Sequence, residues 1–413
     1  MAINLEQFGW DGLTVPAELC KITSALPTAQ HLKILRSPQL MEGADVYFPY
    51  RFFNNGTDRY MPAYIKEAQI NDGGYAAIFQ ARRALFKPQH TKDTNSVLLV
   101  KQGNFEDACI KQIHLNITPD EDAQTPKSRR ITYTEEINAI LYEAYIHALL
   151  QQTFTTLGMA YAVPHLHEIV ARTKTGSESH IHEDIDSIWL VMELVRGQTL
   201  EKYLRSVLVK KAFKTNDKIL KDILVQIAHY LHILQEKLHF NHRDMKINNL
   251  FIRQNASGWS RTTTVPNIGE WKSTIDVVLI DFGFACVSCG PGSPRPRASL
   301  LSAGSWFRPE HDCLKYGRDL GQLLYSLHVN FPFPSYFSPE LCSFLTSACI
   351  ARTATTFVDI LQGVHSDGRP RTSGAPAFND GIYIFLRDNN TDIENCKPDR
   401  FLRGLKSLNE HGV

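Results

Sequence analysis

The octet His242-Arg243-Asp244-Met245-Lys246-Ile247-Asn248-Asn249 constrains this chain more than any other stretch, because charged and amide side chains are set between two apolar elements. Upstream, Leu220, Ile223, Leu224, Ile227, Ala228 and Leu231 recur at helical spacing after a cap at Asn216 or Asp217. Downstream, Leu250-Phe251-Ile252 reads as a short strand, and a second, Val277-Val278-Leu279-Ile280, runs into Asp281-Phe282-Gly283. The polar segment Arg253 to Thr274 between them reads as an inserted hairpin loop. Both strands deliver polar residues at their ends. With His, Arg, Asp, Lys and Asn held in place, a chance match in a chain of this length has a probability on the order of 10⁻⁴.

The residue types define a chemistry. A carboxylate can accept a hydroxyl proton, a lysine neutralises charge, and an amide and a second carboxylate offer oxygen to magnesium, which together is what moving a phosphoryl group requires.

The chain has 413 residues, more than one hydrophobic core usually serves, so two packed lobes are expected. With 44 basic and 43 acidic residues the formal net charge is +1, so no global field argues for nucleic acid or an anionic membrane as partner. No uninterrupted apolar run approaches the length of a membrane span, and the N-terminus lacks a basic segment followed by an apolar one. The expectation is an intracellular protein, cytoplasmic or nuclear. Eight scattered cysteines do not make a disulfide framework, and reduced thiols are expected. Cys286-x-x-Cys289 lacks the second ligand pair that a zinc site needs.

Residues 1–60, with Pro16, Pro27 and Pro38 at near-regular intervals, read as an N-terminal extension wrapping the body. From Tyr64 the pattern is strand, glycine turn at Asn71-Asp72-Gly73-Gly74, and strand. Ser96 to Lys101 and Ala108 to Leu115 flank Gly103-Asn104-Phe105-Glu106-Asp107 and are expected to pair as a hairpin. A polar loop from Thr118 to Arg130 follows, then an amphipathic helix over Glu135 to Gln151 and a buried strand over Ile188 to Glu193.

In this order the parts resemble a eukaryotic-type serine/threonine protein kinase, from about Tyr64 to Arg369. The resemblance implies an α+β, bilobal fold with a strand-rich N-lobe over 61–195 and a mainly helical C-lobe over 196–413. It implies Asp244 as catalytic base, Lys246 as the cation near the transferring phosphate, and Asn249 and Asp281 as magnesium ligands for ATP. Lysine two residues after the base is closer to serine/threonine than to tyrosine kinases. Asn71, Gly73 and Gly74 fall at the phosphate-covering loop, which keeps the middle glycine but has Asn71 and Ala76 at the outer positions. Lys111 in Ala108-Cys109-Ile110-Lys111 resembles the strand lysine that holds the phosphates, with Lys101 as the alternative. Its partner is Glu143 or, two turns earlier on nearly the same face, Glu136. Glu193 and Val195, after Met192, match the hinge whose backbone holds adenine.

The resemblance further pairs Glu310 with Arg369 and sets Asp319 beneath the catalytic loop. It makes Arg243 the arginine that grips a phosphorylated residue, here within Leu300 to Ser305. A protein is then the substrate. Two other readings stay open, a pseudokinase that binds nucleotide or a partner, motivated by the altered glycine loop, and a small-molecule kinase on a related fold. The insertions and the shortened approach to Glu310 resemble the divergent kinases of large DNA viruses.

Overall fold

The computed structural model describes residues 2–4, 14–16, 32–35, 39–41, 44–49, 60–72, 76–90, 97–115, 133–173, 185–254, 259–288, 299–303, 313–348 and 392–410. They group into two compact units, one of residues 1–152, 164–195 and 303–305 and one of 153–163, 196–302 and 306–413.

The first unit is built on β1 (Lys33–Leu35), β2 (Gln39–Met41), β3 (Ala44–Tyr47), β4 (Met61–Asp72), β5 (Ala77–His90), β6 (Val97–His114), α1 (Tyr133–Thr156), β7 (Leu166–Thr173) and β8 (Ile185–Glu193). The strands form a single sheet in the order β1-β7-β8-β6-β5-β4-β3-β2. A bridge between Leu35 and Pro49 then joins the chain just beyond β3 back to the end of β1, so the sheet closes on itself. β1, β2 and β3 therefore complete the sheet. Alternation along the strands lays Leu35, Tyr47, Tyr64, Ile110, Trp189 and Val191 into one buried cluster on the inner face. Tyr47 packs edge-on against Trp189 at 5.0 Å between ring centroids.

The hairpin expected around Gly103 is not formed. β6 runs unbroken for 18 residues, because β5 offers a partner strand along its whole length and the irregularity is absorbed as a register shift between Arg83 and Leu85. Gly103, at φ +71°, takes the left-handed backbone inside the strand where a side chain would be strained. The expected loop from Thr118 to Arg130 lies outside the described residues. α1 is longer than its apolar periodicity showed, 24 residues.

In the second unit come β9 (Gln198–Thr199), α2 (Leu200–Val207), α3 (Phe213–Leu238), β10 (Leu250–Gln254), β11 (Arg261–Val265), β12 (Gly269–Ser273), β13 (Ile275–Leu279), β14 (Cys286–Ser288), β15 (Ser299–Ser302), α4 (Arg318–Asn330), α5 (Pro339–Ala348) and α6 (Pro398–Glu410). β9, β10 and β13 form a small antiparallel sheet. Gly197 lets its chain approach the Ile252 backbone too closely for any Cβ.

α3 is the central strut, with Leu220, Ile223, Leu224, Ile227, Ala228 and Leu231 all fully buried. It starts at Phe213, ahead of the expected cap. Asn216 and Asp217 lie inside it and serve as tertiary ties. The Asn216 amide donates to Val209 O at 2.7 Å and Tyr336 O at 2.8 Å, and Asp217 accepts from Ser338 N at 3.1 Å. The insertion between β10 and β13 is the hairpin β11–β12. Asp222 of α3 accepts from Trp271 Nε1 and Ser273 Oγ, which anchors that hairpin, and burial pushes its carboxyl above the ordinary range. Among the described residues no helix is long and apolar enough to cross a membrane.

Candidate active site

α3 ends at His239, whose left-handed φ of 46° and bonds to the Leu234 and Gln235 carbonyls turn the chain sharply into the His242 octet. The octet is held from within the helical unit. Asp319, at the start of α4 and fully buried, accepts from the backbone N–H of His242 at 2.8 Å and of Arg243 at 2.9 Å, and from Asn241 Nδ2 at 3.0 Å. Three donors on one carboxylate fix the backbone just before Asp244.

Asn241 was not singled out by its sequence. It is fully buried, accepts from Lys315 N at 2.6 Å, and exchanges backbone hydrogen bonds with Cys286 at 3.1 and 2.9 Å. Its only sequence signal is an amide at the end of an apolar run. His242 donates through Nε2 to Ile280 O at 3.1 Å, and its ring lies 5.5 Å from that of Phe282. Arg243 and Asp281 both adopt φ of 64°, a left-handed backbone that is costly for such side chains and persists where surrounding contacts over-determine it.

Around Asp244 the polar groups converge. Its Oδ2 accepts from Lys246 Nζ at 2.9 Å and from Asn249 Nδ2 at 2.8 Å, and Asn249 Nδ2 also donates to Asp244 O at 2.9 Å. Burial raises the Asp244 carboxyl, Lys246 opposes that, and the charge of Asp281 adds to it. With its nitrogen committed to Asp244, Asn249 has only its amide oxygen to offer a ligand. Ile280 N bonds Asn249 O at 3.2 Å, so the chain entering Asp281 is tied to Asn249. Asp281 itself is exposed. An amide oxygen and an exposed carboxylate are the hard donors that magnesium takes, so these residues fit that ion.

Arg243 is almost wholly buried and donates to Ser302 Oγ at 2.8 Å, which ties the octet to β15. Burial and nearby Arg318 lower its pKa to about 9, against the pull of Asp319. Cys286 of β14 forms a disulfide with Cys313, at a Cα separation of 5.8 Å. This corrects the expectation of reduced thiols for that pair, whose partners lie 27 residues apart and gave no spacing signal. Cys289, Gly304 to Glu310 and Arg369 lie outside the described residues, as does the expected pairing of Glu310 with Arg369.

In the strand-rich unit, Lys111 Nζ of β6 donates to Glu143 Oε1 of α1 at 2.6 Å, with both side chains largely buried. Lys101 stands elsewhere, 4.6 Å from the Phe105 ring centroid. Glu136 is half-buried two turns before Glu143. Cys109 is opposite Met192 in the ladder, and burial pushes its thiol up to about 11, so it stays neutral. Glu193 N donates to His165 O at 2.7 Å, and Glu193 Oε2 accepts from His165 N. Val195 N takes no backbone partner among the described residues. Asn71 is exposed near the end of β4, paired with Ile78, while Gly73 and Gly74 lie outside the described residues.

Residues 167–311 match the family model of the protein kinase domain. That match spans the stretch carrying the His242 octet and Asp281, and it supports a divergent protein kinase of the eukaryotic type.

Among solved structures the chain is similar to the CAK complex from Chaetomium thermophilum bound to ATP-gamma-S, at 15% identity and TM-score 0.35, covering 83% of this chain and 89% of that one. It is also similar to the BubR1 kinase domain, at 12% identity and TM-score 0.39, covering 84% and 88%. No curated protein matches the sequence.

Proposed function

We propose that this protein is an ATP- and magnesium-dependent serine/threonine protein kinase. The observation that carries the reading is the Asp244 carboxylate, buried and held by Lys246 and Asn249. Its raised pKa strengthens it as a base for the substrate hydroxyl, whose oxygen then bonds phosphorus as the bond from phosphorus to ADP breaks. Lys246 neutralises charge on the transferring group. Asn249 and Asp281 hold the metal, which when bound supplies charge neutralisation at the phosphates. Lys111, oriented by Glu143, holds the α and β phosphates, and backbone groups of Glu193 and Val195 hold adenine. Asn71, Gly73 and Gly74 cover the phosphates. Lysine at position 246 supports serine or threonine as the acceptor.

The test is transfer from labelled ATP with magnesium to a basic acceptor protein, by wild type and by Asp244→Asn and Asp281→Asn. Transfer falls by about 10²–10⁴ in Asp244→Asn. Transfer that survives Asp281→Asn would overturn the mechanism, and nucleotide binding without transfer by wild type across varied acceptors would establish the pseudokinase reading instead.

Ser302 is the proposed phosphorylated residue within Leu300 to Ser305, since its hydroxyl already accepts from Arg243. Mass spectrometry of fully active protein should find phosphate on this segment, and its absence there removes this mode of control.

A further inference from the structure

The inner face of the closed sheet carries a cluster that phosphotransfer does not use. Lys66 on β4, Gln112 on β6, Arg172 on β7 and Trp189 on β8 point to this face by strand register. Lys66 Nζ lies 4.2 Å from the Phe79 ring centroid and 5.5 Å from that of Trp189, and donates to Gln112 Oε1 at 3.0 Å. The Arg172 guanidinium carbon lies 5.6 Å from the Tyr47 centroid and 5.8 Å from that of Trp189. Two cations from different strands thus lean on one indole.

Neither makes an ion pair with a carboxylate among the described residues. Asp186 is near, but it accepts from Ser187 Oγ at 3.1 Å. Desolvation lowers the Lys66 pKa, Arg172 lowers it further, and Asp186 offsets less than Arg172 adds. Aromatic faces stabilise each cation by only about 0.5–2 kcal/mol and do nothing to relieve their mutual repulsion. Two further donors are stranded beside them. Trp189 Nε1 and the Tyr64 hydroxyl are fully buried with no hydrogen-bond partner among the described residues, an arrangement that native interiors seldom keep unless a ligand or water completes it.

Among the described residues, no carboxylate pairs with either cation of this cluster. We propose that the inner face of the closed sheet binds a phosphate group, free or as a monoester, between Lys66 and Arg172 over Trp189. A tetrahedral oxyanion presents enough acceptor oxygens for an ammonium and a planar guanidinium at once, and Arg–phosphate pairing is bidentate where geometry allows. Small closed sheets of about this strand number have room for one small ligand at most. Tyr47, Ile110 and Trp189 are buried while Lys66 and Arg172 are half-buried, so a small ionic head meets the cations at the edge of this cluster. The site stands apart from the proposed nucleotide site, none of whose residues belongs to it.

The experiment is thermal unfolding of the full chain without nucleotide, at constant ionic strength in chloride, with inorganic phosphate or phosphoserine replacing part of the salt. Wild type is compared with Lys66→Met, Arg172→Met and Lys111→Ala. Phosphate raises the wild-type midpoint by about 1–2 °C at tenfold over its dissociation constant. Lys111→Ala keeps that rise, while Lys66→Met and Arg172→Met lose it. The two methionine variants fold without phosphate, with midpoints at or above that of wild type, because each removes one of two mutually repelling cations. A larger rise with phosphoserine assigns the site to a monoester, and equal rises assign it to the free ion. The proposal fails if phosphate shifts wild type and the methionine variants alike, if it shifts none of them, or if the rise disappears in Lys111→Ala.

Discussion

Lys111 Nζ and Glu143 Oε1 stand 2.6 Å apart, a buried ion pair joining β6 to α1 across 32 residues of sequence. Lys101, the other lysine of that strand, has its ammonium over an exposed part of the sheet beside Phe105.

That contrast separates two variants. If Lys111 is the proposed phosphate-binding lysine, Lys111→Ala should lower transfer at least 100-fold and Lys101→Ala should leave it within about twofold, because the buried pair with Glu143 holds the Lys111 ammonium in place. Glu143→Ala leaves Lys111 buried without this partner and should cost on the order of 3 kcal/mol in stability. Steady-state kinetics and denaturant unfolding read the two effects, and loss of transfer in Lys101→Ala alone would refute the assignment.

On the proposed mechanism, the acid limb of activity belongs to Asp244. A base must be ionised to accept a proton, so the rate falls as pH drops through the Asp244 pKa, and burial sets that limb above the ordinary carboxylate range. Lys246 acts in the opposite direction. Lys246→Met should therefore move the acid limb to higher pH as well as lower the rate. A pH profile of kcat/KM whose limb stays put, or moves down, would show that the limb reports another group.

His147 makes stability depend on pH. It is buried in α1, donates through Nε2 to Pro164 O at 2.8 Å, and burial lowers its pKa from 6.5 to about 4. A histidine with a depressed folded pKa contributes stability that is present above its unfolded pKa and is lost as pH falls from about 6.5 toward 4. The slope for one such proton is about 1.4 kcal/mol per pH unit. His147→Gln keeps a donor toward Pro164 and should flatten the decline by that amount, as denaturant unfolding at a series of pH values would show.

The disulfide between Cys286 and Cys313 closes a loop of 27 residues. By loop entropy it should contribute about 3–4 kcal/mol. The double variant Cys286→Ser with Cys313→Ser should lose that stability, and a reducing agent should lower the wild-type unfolding midpoint while leaving the double variant unchanged. Equal response of both proteins to the reductant would show that this bond contributes nothing.

Much of this molecule can be read along the chain where chemistry depends on neighbours in sequence. The His242 octet, the strand ending at Asp281, the buried stripe of α3 and the strand before Glu193 are local patterns, and the structure has them. Gly103 misled because a glycine among polar residues signals a turn, and only the partner strand β5 shows that the backbone runs on. Asn216 and Asp217 misled similarly. They are good caps by type, yet the acceptor Tyr336 O and the donor Ser338 N lie more than 100 residues away in sequence.

By itself the sequence determined which groups are present for phosphoryl transfer and in what order, since residue type and close spacing set proton affinity, charge and metal preference. Tertiary structure decided which of them have partners. Asp319 reaches back to His242 and Arg243, Ser302 meets Arg243, Cys313 meets Cys286, and Leu35 closes the sheet on Pro49. Each of these contacts forms only when distant segments are buried together, because burial makes an unpaired charge or amide costly enough to select its partner.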